Sequence, residues 1–388
     1  MDITTARDLG FAPATVDDVH WDALTQDAFY SSARWVRYCA GAAAGRTGLL
    51  LAGEPSRPRA GAVVTEVESA AAGLYDWNTL LAERGLPALP GHGAMIGVLQ
   101  GYQGRLVSAP ASGPEDVAML VDQLREAAAV VGEASGGGAS QAATVGMYLD
   151  TDGVRRALAA GVDGIPVLLE LDASIDVCGG WDAWLGTLTS KRRVAVRGER
   201  RRFREAGYVV EDSTLAERVA VLGPLARATG GKYGTVQDVE SYESLLRAHI
   251  EGMGAEARVL TCARDGVVTG FCLYYRWNGT VHLRWAGFDY DRLAPGAAEY
   301  FNLVYYELIE RSAVSGDRRL HAGIKASEAK ALRGARLQPS WLLDFGAERV
   351  LAGAAADARA HNAAALARAL ANPRTAGAID PEEWSGFC

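Results

Sequence analysis

A chain of 388 residues is longer than one hydrophobic core usually spans, about 250–300 residues, so two domains are expected. Apolar residues make up 49% of it, as in ordinary globular proteins, and no window approaches the ~18 consecutive apolar residues of a membrane span. The formal charge of −8 argues against wholesale wrapping of nucleic acid, yet an average of this kind can hide a local basic patch.

Residues 1–20 are polar and weakly patterned, and MDITTARDLG has no apolar run behind a basic start. No signal peptide is therefore predicted, and a reducing cytoplasm is the expected compartment. A serine-capped short helix follows at 31–39, with Trp35 and Cys39 at i, i+4 spacing. Residues 48–52 and 60–67 predict a hairpin. The segment 75–104 has little period and predicts a long ordered loop. A proline-started helix at 114–132, a glycine-rich break at 135–140, a strand at 142–149, a helix at 152–160 and a strand at 165–172 complete the first half.

The second half opens with Gly179-Gly180-Trp181 and a helix at 182–187. Between Lys191 and Arg204 eight of fourteen residues are Lys or Arg, with Glu199 the lone acid. On a helix, Arg192, Val196 and Phe203 face inward and Lys191, Arg193, Arg197, Arg200, Arg201 and Arg204 fan outward. Such a stripe suits a phosphate-rich donor, although a solvated helix face gives the same pattern. A strand at 208–211 and helices at 215–229 and 236–252 lead to the most informative stretch. There Asp265-Gly266 and Asn278-Gly279 each separate β-branched and aromatic runs, which predicts two tight hairpin turns and a three-strand meander at 258–263, 267–277 and 280–287. A helix at 296–315, a strand at 319–321 and a helix at 326–333 follow. After Phe345 the composition turns alanine-rich and predicts a helix at 350–371.

Cys39, Cys178, Cys262, Cys272 and Cys388 are scattered, without CxxC or a histidine at metal spacing, so no metal site is expected. G-x-S-x-G, Walker A and HExxH motifs are absent from the sequence.

The order strand, strand, strand, helix, strand, helix resembles the core of the GNAT-type N-acetyltransferases. More narrowly, Lys232-Tyr233-Gly234, Gly287-Phe288-Asp289-Tyr290-Asp291, Ala298-Glu299-Tyr300-Phe301-Asn302 and the run from His321 to Lys330 are similar to tandem GNAT-like proteins of the peptidoglycan biosynthesis or recognition family, related to the FemABX aminoacyltransferases. Phe29-Tyr30-Ser31-Ser32 and Gly101-Tyr102 carry the likeness into the first half.

The resemblance implies an α/β (α+β) fold of two tandem GNAT-like domains, each a mixed sheet flanked by helices. They are placed at 1–172, as an acceptor-side wall, and at 173–347, as the domain with the basic helix, followed by an Ala-rich helix and tail at 348–388. It implies an acyltransferase acting on a small-molecule amine, with aminoacyl-tRNA or an acyl-CoA or carrier-protein thioester as co-substrate. Transfer RNA or an acyl carrier protein would then be the macromolecular partner. Pro295 stands where the family's carrier-binding turn, here 291–298, has its first glycine. That departure keeps open a second reading, a non-catalytic binding module.

Period-two alternation puts His282 and Arg284 on one strand face and Cys272, Tyr274 and Arg276 on one face of the strand before. If the two faces coincide, Tyr274, His282 and Arg284 line a pocket, with the histidine able to take a proton. Lys325, Glu328 and Lys330 at the start of the last helix suggest an anion contact, since lysines there oppose the helix dipole. Glu299 and Tyr300 are candidates for capping acid and proton relay. Tyr233 and Asp289 are candidates for substrate contact, with Asp289 also a natural turn former. The basic residues Lys191, Arg193, Arg197, Arg200 and Arg201 complete the set as phosphate ligands.

Overall fold

The computed structural model describes residues 16–42, 46–67, 73–136, 142–235 and 237–388. Within these the chain divides into two compact units, one of residues 1–172 and 337–388 and one of residues 173–336. The first twenty residues, the glycine-rich break and the start of the 236–252 helix fall partly outside the described residues.

In the first unit, helices α1 (Asp18–Thr25) and α2 (Ala33–Ala42) precede strands β1 (Thr47–Glu54) and β2 (Arg57–Val67). The long loop expected at 75–104 contains a short helix α3 (Trp77–Ala82) and a strand β3 (Gly93–Ile96). Strand β4 (Leu106–Ser108), helix α4 (Pro114–Ala134), strand β5 (Ala143–Leu149), helix α5 (Thr151–Ala159) and strand β6 (Val167–Asp176) follow. β1, β2 and β3 pair antiparallel, and β3 pairs parallel with β5. Proline at the first turn and Asp116, which accepts from the Gly113 N–H, start α4. Its apolar stripe, Val117, Leu120, Val121 and Leu124, lies in the core with Leu50, Val64 and Ile96.

The second unit has α6 (Gly180–Thr187), the basic α7 (Ser190–Glu205), β7 (Val209–Thr214), α8 (Val219–Lys232), α9 (Val239–Met253) and the meander β8 (Arg258–Arg264), β9 (Val267–Trp277) and β10 (Thr280–Phe288). Both two-residue turns have positive φ throughout: Asp265 52°, Gly266 77°, Asn278 44° and Gly279 75°. The next helix starts at Glu299, not at Gly296, because Ala298 takes a left-handed conformation with φ 58°. It runs as α10 (Glu299–Phe301), a π-helical turn (Asn302–Tyr306) and α11 (Glu307–Ser315). Strand β11 (Arg319–Gly323) and helix α12 (Ser327–Ala331) end the unit. β10 and β11 pair parallel, and β11 pairs antiparallel with β6.

A ten-residue strand without a signal in the local sequence, β12 (Ala335–Asp344), pairs antiparallel with β5 in the first unit. Helices α13 (Val350–Gly353) and α14 (Ala355–Ala371) follow, with Ala354 interrupting the single helix expected. The terminal segment is not a separate tail. Trp384 and Phe387 join the first unit's core and meet Trp341 at ring-centroid distances of 5.4 and 5.1 Å. Asn362 of α14, fully buried, accepts from the Leu168 N–H at 2.9 Å and donates to the Phe387 carbonyl at 2.7 Å.

The first unit thus runs antiparallel through β1, β2 and β3, then parallel to β5 and antiparallel to β12. The second runs antiparallel through β7, β8, β9 and β10, then parallel to β11 and antiparallel to β6. The last strand on the first unit's path, β12, follows β11 and α12 in the chain, whereas the last on the second unit's path, β6, precedes that unit's other strands.

Candidate active site

In the second unit the parallel strands β10 and β11 stay in register for three pairs, Thr280–Arg319, Val281–Leu320 and His282–His321. Beyond them the two strands part, β10 bulging between Leu283 and Trp285 where Arg284 has no opposite residue on β9. The fork so formed has the two histidines at its base, both 3% exposed and with ring centroids 5.2 Å apart. The start of α10 and the turn before α12 follow its two arms in sequence.

Tyr274 does not join this base. A two-residue turn at Asn278-Gly279 pairs positions whose numbers differ in parity, so His282 lies opposite Tyr275 and Tyr274 opposite Leu283. The pocket of Tyr274, His282 and Arg284 is therefore not formed as a single face. The Tyr274 hydroxyl instead donates to Asp212 at 2.9 Å and accepts from Arg276 at 3.0 Å. Arg258 holds the same Asp212 at 2.7 Å, and Arg276 reaches Asp317 at 3.0 Å. Burial, ahead of these neighbours, raises the phenol's pKa.

On the histidine face, the Tyr275 hydroxyl lies 2.7 Å from Nδ1 of the buried His249 on α9. Burial first, and the Arg284 guanidinium second, hold His249 well below its ordinary value of 6.5. The unfolded chain binds this proton more readily, so unfolding takes up a proton between the two values and stability falls as pH drops below about 6.5. The slope expected from this group is at most about 1.4 kcal/mol per pH unit. Urea midpoints between neutral and mildly acid pH should show it in the natural protein, and His249→Gln should flatten it.

The turn at 291–298 is organised by the chain itself. Glu299, 5% exposed, accepts from the Ala294 N–H and from the Tyr208 hydroxyl, both at 2.7 Å. Burial and that carboxylate push Tyr208 up to about 12. Asn302, fully buried in the π-helical turn, donates to the carbonyls of Ala298 at 3.0 Å and Ala297 at 3.2 Å, and Arg202 donates to that of Gly296 at 2.7 Å. Tyr300 is 43% exposed, tilted against the Phe288 ring and edge-on to that of Tyr305. Across the sheet, a Cβ on Gly287 would come within 2.4 Å of Phe271 and 2.9 Å of the α8 backbone, so glycine lets this helix lie directly on β10.

Lys330 is not an anion ligand in this structure. It is 3% exposed, and its ammonium donates to the carbonyls of Gly323 and Ile324, each at 2.7 Å. It pins a turn in which Lys325 and Ala326 both have positive φ, 66° and 51°. Lys325 and Glu328 are exposed beside it. The next buried cation, Arg333, sits 3.2 Å from the Phe301 ring centroid and reaches Glu199 at 3.3 Å. Glu199 is thereby a structural acid, also bonded by the Tyr306 hydroxyl.

The basic helix divides into two sets. Arg200 is buried, not fanned outward, and pairs with Glu307 at 2.5 Å and with Glu310. Arg193 donates to the Leu188 carbonyl at 2.5 Å and to Ser190 at 2.9 Å, bracing the helix start. Lys191, Arg197 and Arg201 are exposed. Tyr233 is 74% exposed at the end of α8, where the Lys232 ammonium lies 3.8 Å from the Tyr290 ring centroid. Asp289 forms the turn after β10, accepting from the Asp291 N–H at 3.2 Å and pairing with Arg292 at 3.4 Å. Cys262 and Cys272 are buried and raised to about 12 by that burial, so neither is a ready nucleophile.

His321, Tyr275 and His249 were not singled out from the sequence. Tyr275 was within reach, since the turn length alone fixes its partner; His321 and His249 arrive by parallel pairing and helix packing, which have no local signature.

The family model described as an acetyltransferase (GNAT) domain matches residues 190–331. A search of curated proteins finds no match. Among solved structures, FemX is similar at a TM-score of 0.57 and 13% identity, over 88% of this chain and 98% of that one. The C-terminal domain of an Agrobacterium fabrum protein described as a lysylphosphatidylglycerol synthetase is similar at 0.54 and 12%, over 87% and 92%. A Bacteroides thetaiotaomicron protein of unknown function is similar at 0.50 and 12%, over 85% and 92%. At these identities the likeness is one of fold. Among the described residues, no helix is long and apolar enough to cross a membrane.

Proposed function

We propose, from the premise that residues 190–331 are an acetyltransferase-type domain and the protein an acyltransferase, that it moves an aminoacyl group from aminoacyl-tRNA to a small-molecule amine in cell-wall or secondary-metabolite biosynthesis. The observation that carries the choice of donor is Glu299. Backbone N–H groups at the start of a helix ordinarily attract the pyrophosphate of an acyl carrier. Here a buried carboxylate already takes the Ala294 N–H, and a second anion beside it would meet like-charge repulsion at low dielectric. Lys191, Arg197 and Arg201 remain exposed on α7 and can neutralise nucleic-acid phosphates.

The chemistry needs no covalent enzyme intermediate. The amine nitrogen attacks the ester carbonyl in the fork, the new C–N bond forms, the C–O bond to the tRNA ribose breaks, and the amine's proton passes to the departing oxygen. Backbone N–H groups of the bulged strand would steady the developing oxyanion, and His282 at the fork base would relay the proton. Exposed Lys325 would meet the donor near its reacting end, and Tyr300 and Tyr233, both exposed, would offer surfaces for its bases to stack on.

The test presents aminoacyl-tRNA, acyl-CoA and acyl-carrier thioesters to the full chain with a panel of small amines. Transfer from aminoacyl-tRNA that weakens steeply with salt is expected. Transfer from acyl-CoA alone, or from no donor, would overturn the reading.

A further inference from the structure

The eight cations of α7 divide by what neutralises them. Arg200 and Arg204 pair with the acids of α11, Arg200 with Glu307 and Glu310 and Arg204 with Glu310, while Arg201 has Glu205 one turn on at 3.6 Å. Arg192 and Arg202 differ. Among the described residues no carboxylate pairs with either, yet each is fixed by a backbone carbonyl. Arg202 donates through Nε to the Gly296 carbonyl at 2.7 Å, on the turn that leads into α10. Arg192 donates through Nε to the Leu332 carbonyl at 3.1 Å, at the end of α12. Since α10 and α12 follow the two arms of the fork, each arm is tied to α7 by one arginine.

The atom that makes the tie decides what is left over. A guanidinium has five N–H donors, and committing Nε to a carbonyl leaves the two Nη groups, a fork that matches two oxygens of one phosphate. No hydrogen bond within the described chain takes an Nη group of Arg192 or Arg202. Arg202 is exposed and Arg192 half-buried, so a ligand can reach both. The helix also clears a space. Glycine inside a helix is destabilising relative to alanine, and the one neighbour that an added Cβ on Gly198 would meet is Nη1 of Arg202, at 3.2 Å. Gly198 thus serves the guanidinium and not the helix.

We infer that Arg192 and Arg202 are phosphate clamps, each gripping one phosphodiester of the donor's RNA strand as it runs along α7 beside the fork. Ten residues of helix separate them, about 15 Å along the axis, so they engage different phosphates. To bind an anion, Arg200, Arg201 and Arg204 must share their charge with an acid already present; Arg192 and Arg202 give up only water. At Gly296 the phosphate is held by an exposed guanidinium, in high dielectric, and not by the N–H groups of the turn that Glu299 guards. That the strand is RNA rests on the aminoacyl-tRNA donor proposed above, whereas the phosphate chemistry rests on the two guanidiniums.

Binding of an RNA hairpin with a single-stranded 3′ end, and of coenzyme A, to the full chain at several salt concentrations tests it. Arg192→Gln and Arg202→Gln are each expected to weaken the RNA about tenfold. Each should also reduce the slope of log affinity against log salt by about 0.7–0.9, the share of one phosphate. Arg204→Gln removes the same charge from the same helix, but one already paired with Glu310, and should cost about threefold or less. Gly198→Ala should raise the thermal midpoint and still bind RNA more weakly, a combination that unfolding cannot produce. Should Arg192→Gln fail to fold, the exposed Arg202 and Gly198 carry the test. RNA binding that the folded Gln variants leave unchanged, or an equal loss in Arg204→Gln, would overturn the clamps and leave the donor reading standing. Binding of coenzyme A and not of RNA, abolished by Arg202→Gln, would support the clamp there and overturn the donor reading alone.

Discussion

Replacing Arg200 by methionine is expected to lower the unfolding free energy by about 3–5 kcal/mol, the cost of leaving a buried ionic partner uncompensated. The Arg200 side chain is 8% exposed and Glu307 is 12% exposed, so neither carboxylate-guanidinium partner can turn to water for relief. Glu310, at 42% exposure, can, and its share of the loss is small. Adding Glu307→Gln to Arg200→Met should return part of the stability, because the stranded charge is then gone. Denaturant titrations of the single and double variants measure the coupling. Arg197→Ala and Arg201→Ala supply the contrast. Both side chains are exposed, so stability should stay within about 0.5 kcal/mol, while donor binding weakens and its salt dependence shallows. If Arg200→Met left stability untouched and reduced donor affinity, the buried-pair account would be wrong.

Lys330→Met should cost about 2–4 kcal/mol and depress transfer activity together. Two carbonyl oxygens, those of Gly323 and Ile324, lose their charged donor in one step. They belong to a turn in which Lys325 and Ala326 occupy left-handed backbone, a conformation that costs non-glycine residues roughly 1–3 kcal/mol each. Without its clamp the turn relaxes, and the far arm of the fork moves with it. Ala326→Gly in the same background should recover part of the stability by removing the Cβ strain. Lys330→Arg should not rescue, since the forked guanidinium is larger and cannot place one nitrogen at both carbonyls. Chemical denaturation and single-turnover transfer, read side by side, separate loss of fold from loss of geometry.

The two hairpins were legible because Asp-Gly and Asn-Gly supply positive φ at little cost, and the strands on either side carry β-branched and aromatic residues. The same turns fixed more than the period-two reading used. With Asn278 and Gly279 as the only turn residues, Trp277 must face Thr280, and counting back puts Tyr275, not Tyr274, beside His282. Parity, a local property, was enough to prevent that misplacement. Arg200 and Lys330 were misread for another reason. Charge on a helix reads as solvated until an acid from a distant segment, such as Glu307, or a pair of carbonyls turns the side chain inward. β3 was hidden in a stretch rich in glycine and proline, and β12 carries Pro339 within its span. Neither has a partner nearby in sequence to betray it.

The placement of β12 and β6 governs synthesis as well as architecture. As the chain leaves the ribosome, β5 is complete at Leu149, but the strand that covers its outer edge, β12, begins only at Ala335. At ~5–20 residues per second β5 waits on the order of ten seconds or longer with that edge open. Its core is equally unfinished, for Trp341, Trp384 and Phe387 have still to arrive. The second unit has no such delay, because β6 is already made when β11 emerges. The nascent protein is therefore expected to mature out of order, residues 173–336 first, with the exposed β5 edge what chaperones or aggregation would meet in the interval.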